Sequence, residues 1–167
     1  RKLNVVKNMP TADALPTSES FLFEPKWDGF RAIVFRSASD VFIQSRDLRP
    51  LDRYFPELHD TLLATLPAGC VIDGEIVIAA SHGLDFDALQ LRLHPAATRV
   101  ARLAKETPAS FVAFDVLAVD GRNVMSAAQT QRRALLEQQF AQIKAPVYLT
   151  PMTRDRSIAS EWLEHFE

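Results

Sequence analysis

The chain has 167 residues, enough to bury one real core and cramped for two domains. Hydrophobic residues make up 47% and charged residues 24%, which excludes a disordered tail, and a net charge of −2 excludes polyanion binding through overall charge. The single cysteine, Cys70, excludes a disulfide framework and a cysteine-rich zinc site. No apolar stretch approaches the length of a membrane span, and the basic start 1–7 lacks the apolar core of a signal peptide. These features together read as a reduced, intracellular protein.

Residues 8–20, with Pro10 and Pro16, read as an N-terminal loop. The short apolar run 21–24 reads as a strand, and Lys26-Trp27-Asp28-Gly29 as a turn in which Gly29 supplies a backbone conformation closed to other residues. Residues 30–35 and 41–44 are β-rich and joined by Ser37-Ala38-Ser39-Asp40, a hairpin pattern. After Pro56, a residue tolerated in a first turn, Leu58, Leu62, Leu63 and Leu66 recur with Phe55 at helical spacing. Residues 71–78 form a strand broken by Gly74. Two short helices, 85–93 and 96–104, are divided by His94-Pro95. Residues 111–119 form a strand that turns at Asp120-Gly121. Residues 130–140 form a helix with Leu135, Leu136 and Phe140 on one face; 147–149 a brief strand; 157–166 a last helix capped by Ser157. Hairpins mixed with helices, rather than regular strand–helix alternation, indicate an α+β fold with antiparallel β-sheets flanked by helices.

The charge is unevenly placed. Arg31, Arg36, Arg46, Arg49 and Arg53 stand against three aspartates in 31–53, and Arg92, Arg99, Arg102 and Lys105 occur without an acid in 91–105. Two basic patches are the footprint of local phosphate contacts; the plainer reading is two solvated faces. His59, His82, His94 and His165 have no metal-ligand spacing and read as structural or surface residues, and Cys70 as a buried strand residue.

Chemistry concentrates in Glu24-Pro25-Lys26-Trp27-Asp28-Gly29-Phe30-Arg31. A lysine amine becomes a nucleophile once it loses its proton, which apolar neighbours such as Phe23, Trp27 and Phe30 or nearby positive charge favour. A carboxylate just upstream and an arginine that can fork onto phosphate oxygens just downstream suit a phosphorus electrophile. A surface turn with a snorkelling lysine is the plain alternative. Three further segments follow in order: Gln44-Ser45-Arg46-Asp47, Asp73-Gly74-Glu75-Ile76-Val77, and the apolar strand around Phe114-Asp115.

With these in place, the chain resembles the covalent nucleotidyltransferases, and specifically the ATP-dependent DNA ligases of the bacterial end-joining and repair type. The resemblance runs from about Phe21 to Asp120 and includes Leu84-Asp85-Phe86-Asp87-Ala88-Leu89-Gln90. It implies a nucleotidyltransferase (ATP-grasp-like) adenylation domain. Lys26 would attack the α-phosphorus of ATP, expel pyrophosphate and carry AMP as a phosphoramidate. Glu24 would accept a hydrogen bond from the adenine amino group, and Phe114 would stack on the adenine ring. Arg31 and Arg46 would hold phosphate, first of pyrophosphate and later of a nicked or broken DNA duplex. Glu75 would touch the ribose or help hold Mg²⁺ or Mn²⁺. For Glu75 the plain alternative is an ion pair with an arginine, and for Phe114 a place in the core, shared with Phe111; alternation puts 112 and 114 on one face of the strand and 111 and 113 on the other. On this reading the basic run 91–105, with Arg99 and Arg102, would lie along the duplex backbone.

The chain also departs from the family. The later Glu-Gly strand and Lys-x-Lys strand do not occur in it; the lysines after Lys26 are Lys105 and Lys144. The expectation is an N-terminal segment 1–20, a partial adenylation domain 21–167 and no oligonucleotide-binding (OB-fold) barrel in this chain. Such a piece would self-adenylate slowly or not at all and would not seal nicks efficiently. Its unpaired sheet edges would be met by a second copy, as a homodimer, or by a C-terminal segment. The expected setting is the bacterial cytoplasm and nucleoid, with no membrane partner. RNA ligase, mRNA-capping guanylyltransferase and a non-catalytic nucleotide- or DNA-binding module are the alternatives.

Overall fold

The computed structural model describes residues 4–5, 15–16, 21–81 and 83–165. It divides the chain into two compact units, 1–27 with 150–167, and 28–149. Most of the expected N-terminal loop, His82 and the helix end at Phe166 lie outside the described residues.

The smaller unit begins with β1 (Asn4–Val5) paired antiparallel to β2 (Phe23–Glu24). The strand expected over 21–24 is thus confined to its last two residues.

The larger unit is built on a six-stranded sheet. In chain order it contains β3 (Phe30–Arg36), β4 (Val41–Ser45), a 3-10 turn (Asp52–Tyr54) and α1 (Pro56–Thr65). Then come β5 (Cys70–Val77), the small hairpin β6 (Ala79–Ala80) and β7 (Gly83–Leu84), α2 (Phe86–Leu91) and α3 (Ala97–Glu106). It closes with β8 (Ser110–Val119), β9 (Arg122–Asn123), α4 (Gln129–Phe140) and β10 (Val147–Leu149). The strand order is β10-β8-β5-β3-β4, with β9 on β8. All these pairings are antiparallel except β10 with β8, which is parallel, so the expected all-antiparallel sheet is mostly but not wholly so. The α4 helix between β8 and β10 supplies the crossover that a parallel pair needs.

Strand alternation sorts the two faces. Ala32 and Val34 of β3 and Ile72 and Ile76 of β5 point into one core with Leu58 and Leu62 of α1, Leu89 of α2, and Leu136 and Phe140 of α4. Burying each such leucine or isoleucine is worth about 1.5–3 kcal/mol, and this face carries the unit's stability. Arg31, Ile33 and Phe35 are out of phase and share the other face with their cross-strand partners Glu75, Asp73 and Val71.

Two glycines matter for closeness of approach. Gly29 is a bend at negative or extended φ rather than in the left-handed region, which corrects the expectation for it. Its need is space: a Cβ there would drive into the Ile76 carbonyl oxygen and meet Glu75 Cγ at 2.9 Å. At Gly74 a Cβ would collide with the Phe111 ring and stand 2.6 Å from the Val112 carbonyl oxygen.

The smaller unit is completed by α5 (Arg156–His165). Its first turn is held by Asp155, whose Oδ1 accepts from Ser157 N–H at 2.8 Å and from the Ser157 hydroxyl at 2.6 Å. Asp155, not Ser157, is therefore the cap. Phe23 and Thr153 exchange backbone hydrogen bonds at 2.8 and 2.9 Å, tying β2 to the segment before this helix. Among the described residues, no helix is long and apolar enough to cross a membrane.

Candidate active site

Within the smaller unit, Glu24 ends β2 and Lys26 follows in irregular chain with its side chain exposed. The segment is held from both sides. Pro25 is buried, and the Trp27 indole N–H donates to Thr150 Oγ1 at 2.8 Å. Thr150 is fully buried, so the residue after the candidate nucleophile is anchored to a fixed point. Thr150 was not legible as part of this region, because its partner lies 123 positions away.

In the sheet unit a cavity of about 730 Å³ gathers Arg31, Arg46 and Glu75 with Arg49, Arg53, Tyr54, Gly29 and Phe30. Arg31 and Glu75 are direct cross-strand partners. Phe114 stands beside them, its ring centroid 5.5 Å from the Arg31 guanidinium carbon. The structure thus brings together four of the residues expected from the sequence, Arg31, Arg46, Glu75 and Phe114. Lys26 and Glu24 belong to the smaller unit.

Strand alternation puts Phe114 on the face of Val112, whose cross-strand partner is Glu75. Asp73 pairs with Asp115 and Gly74 with Ala113, which leaves Phe114 unpaired at one of the two register shifts between β5 and β8. Phe114 is half-buried, while Phe111 and Val116 are in the core. The core alternative for Phe114 is therefore wrong for its ring and right for Phe111.

Asp73 is the residue that sequence reasoning underused. Its carboxylate accepts two hydrogen bonds from Arg31, Nε to Oδ1 at 3.1 Å and Nη2 to Oδ2 at 2.6 Å. The pairing of Ile33 with Asp73 puts Arg31 diagonally across the strands, within reach of a long side chain. Asp73 holds the guanidinium above its ordinary value through these bonds; burial opposes, and the charges of Asp73, Glu75 and Asp115 add. Arg31 is thus a fixed, permanently charged fork, and Asp73, not Glu75, is its ion-pair partner. Behind it, Asp115 holds Arg132 in a second two-pronged pair at 2.9 Å for each contact.

The second basic patch is thinner than the sequence suggested. Arg92 is fully buried: it pairs with Glu57 at 2.7 and 2.8 Å, donates to the Tyr54 and Thr107 carbonyl oxygens, and lies over the Phe55 ring. It fastens α1 to the end of α2 and is not a surface cation. Arg102 pairs loosely with Glu106 at 3.7 Å, which leaves Arg99 and Lys105 as the rest of that run. His59 sits on the surface between Asp60 and Asp40, and Cys70 is buried, as expected.

As to metal, no group of three or more His, Cys, Asp or Glu side chains converges among the described residues. Glu75, the carboxylate expected to hold a metal, lines the cavity together with Asp47. Two carboxylates among arginines suit a Mg²⁺ ion bound mainly through nucleotide phosphates, and do not make a protein-built cage.

The family model of the ATP-dependent DNA ligase domain matches residues 4–166. The chain belongs to the ATP-dependent DNA ligase domain family. It is 52% identical over 145 residues to DNA ligase C2 of Mycolicibacterium smegmatis, covering 87% of this chain and 41% of that protein. It is 48% identical over 158 residues to DNA ligase C of Mycobacterium tuberculosis, covering 92% of this chain and 44% of that protein. The ligase domain of M. tuberculosis LigD superposes with a TM-score of 0.66 at 27% identity, over 86% of this chain and 45% of that one. A mycobacterial DNA ligase D complexed with ATP and MES superposes with a TM-score of 0.63 at the same identity, over 86% of this chain and 44% of that one. The chain spans less than half the length of these relatives. Its α+β fold and its nucleotidyltransferase family are those expected from the sequence.

Proposed function

We propose that residues 21–167 are part of the adenylation domain of a bacterial ATP-dependent DNA ligase and that Lys26 is its nucleophile. The observation that carries this reading is the cavity in which Arg31, Arg46 and Glu75 meet beside Phe114, in a chain whose exposed Lys26 precedes an anchored tryptophan.

In the proposed reaction the unprotonated Lys26 amine attacks the α-phosphorus of ATP. The N–P bond forms, the bond from that phosphorus to the pyrophosphate oxygen breaks, and the amine gives up a proton to solvent. The arginines hold the negative oxygens, which phosphoryl transfer demands above all else. Arg31 enters this task already oriented, because Asp73 fixes its plane. Phe114 offers an aromatic face to adenine, and Glu24 accepts from its amino group. Glu75 would hold Mg²⁺ or Mn²⁺, which when bound neutralises phosphate charge. AMP would then pass to the 5′-phosphate at a break in duplex DNA before the strand is sealed.

The test is transfer of label from ATP or GTP labelled at the α-phosphate to a polypeptide containing this chain. Covalent label from ATP, absent with GTP and lost in Lys26→Ala, supports the reading. Label from GTP would point to a capping-type enzyme, and label retained in Lys26→Ala would remove Lys26 from its role.

A further inference from the structure

Residues 45–50 reverse the chain after β4. Ser45 N–H donates to the Arg49 carbonyl oxygen at 2.8 Å, Leu48 N–H to the Ser45 carbonyl oxygen at 3.0 Å, and Arg49 N–H to Ser45 Oγ at 3.1 Å. Gln44 then bridges antiparallel to Pro50. A three-residue reversal of this kind puts its last residue in the left-handed region, where glycine or asparagine belongs. Here that residue is Leu48, at φ 60°. A leucine Cβ crowds the following carbonyl in that conformation, so the turn is strained where glycine would leave it relaxed.

Leu48 is anomalous in a second, independent way. It is 74% exposed, the most exposed of the large hydrophobic residues described. Neither the strain nor the exposed apolar surface is relieved inside the protein. Its neighbours say what could relieve them. Arg49 follows it directly and Arg46 precedes it by two positions, with Asp47 between, and all three line the cavity that also holds Arg31 and Arg53. Neither Arg46 nor Arg49 has a side-chain hydrogen bond or ion pair among the described residues. Leu93, another exposed leucine, lines the same cavity.

We propose that Leu48 is an apolar contact for a DNA strand, packing on a deoxyribose while Arg46 and Arg49 on either side take phosphates of that strand. The inference rests on the DNA-ligase reading and adds to it a residue that reads sugar rather than charge. An apolar tip between two cations on one turn, with the exposed Asp47 the one acid among them, suits the alternation of phosphate and sugar along a nucleic-acid backbone. The strain of the turn is then the means by which the leucine is held out of the core and toward the strand.

Binding of a fluorescent nicked duplex, followed by anisotropy over a salt series, tests this. Leu48→Gly and Leu48→Asn both suit the left-handed turn and remove the apolar tip. Each is expected to keep or raise the thermal midpoint, to weaken DNA binding by about tenfold at every salt concentration, and to leave the salt slope unchanged. Arg49→Ala is expected instead to lower the salt slope by about one. Affinity within twofold of the parent in both Leu48 variants would overturn the proposal. So would a fall in midpoint in both, or a parent chain with no salt-dependent DNA binding. AMP on Lys26 is scored separately by intact mass, so failure of the leucine contact and failure of the ligase reading are distinguishable.

Discussion

The pairing of Asp73 with Arg31 makes a quantitative claim. Asp73→Asn keeps the shape of the side chain and removes its charge, leaving Arg31 without a carboxylate to receive its fork. The Asp73 side chain is 6% exposed and that of Arg31 is 55% exposed, with contacts of 2.6 and 3.1 Å. A fully exposed pair is worth about 0–1 kcal/mol, and breaking a fully buried one costs about 3–5 kcal/mol. With one partner buried and the other screened by solvent, the coupling should be about 1–2 kcal/mol. A double-mutant cycle of Asp73→Asn and Arg31→Gln, read by urea unfolding, measures it. Circular dichroism should be the probe, since Trp27 and Trp162 both lie in the smaller unit and their fluorescence reports on that unit instead. A coupling under about 0.3 kcal/mol would show that the two hydrogen bonds do not hold Arg31 in place.

Other consequences follow from groups away from the cavity. Arg92→Ala leaves the Glu57 carboxylate without its cation, and since Glu57 is 21% exposed the loss should be near the low end for a buried pair, about 3 kcal/mol by urea unfolding. His59 is held above its ordinary value: burial opposes its charge, but hydrogen bonds to Asp60 and Asp40 outweigh it. Its contribution to stability is therefore complete below about pH 6.5 and is lost as pH rises through the higher folded value, so His59→Gln should flatten the stability profile between pH 6 and pH 8. Burial pushes the Cys70 thiol up to about 11, so a thiol-specific reagent at pH 8 should react only as fast as the sheet unit opens, with a rate that rises in urea.

Local pattern carried much of the fold. The β3–β4 hairpin was legible because alternation and a polar tetrapeptide turn agree, and α1 because its leucines repeat at helical spacing behind a tolerated proline. Of the residues singled out by type, Arg31, Arg46, Glu75 and Phe114 were expected together and lie together. What escaped was nonlocal. Arg92 reads as surface charge until Glu57, 35 positions earlier, is brought against it. Alternation sets Phe114 on the face of Val112, but the register shift that leaves it unpaired opposite β5 leaves no trace in a single strand's pattern. Gly29 reads as a turn glycine, but its constraint is the Ile76 carbonyl of another strand. The parallel pairing of β10 depends on where α4 returns the chain, which three residues of strand sequence cannot encode.

The central claim is that the Lys26 amine forms a bond to phosphorus. Its most direct test is peptide mapping by mass spectrometry of a polypeptide containing this chain after incubation with ATP and Mg²⁺, beside its Lys26→Ala variant. The account predicts one AMP, located on Lys26, and none on the variant; AMP on another residue, or undiminished in Lys26→Ala, would contradict it.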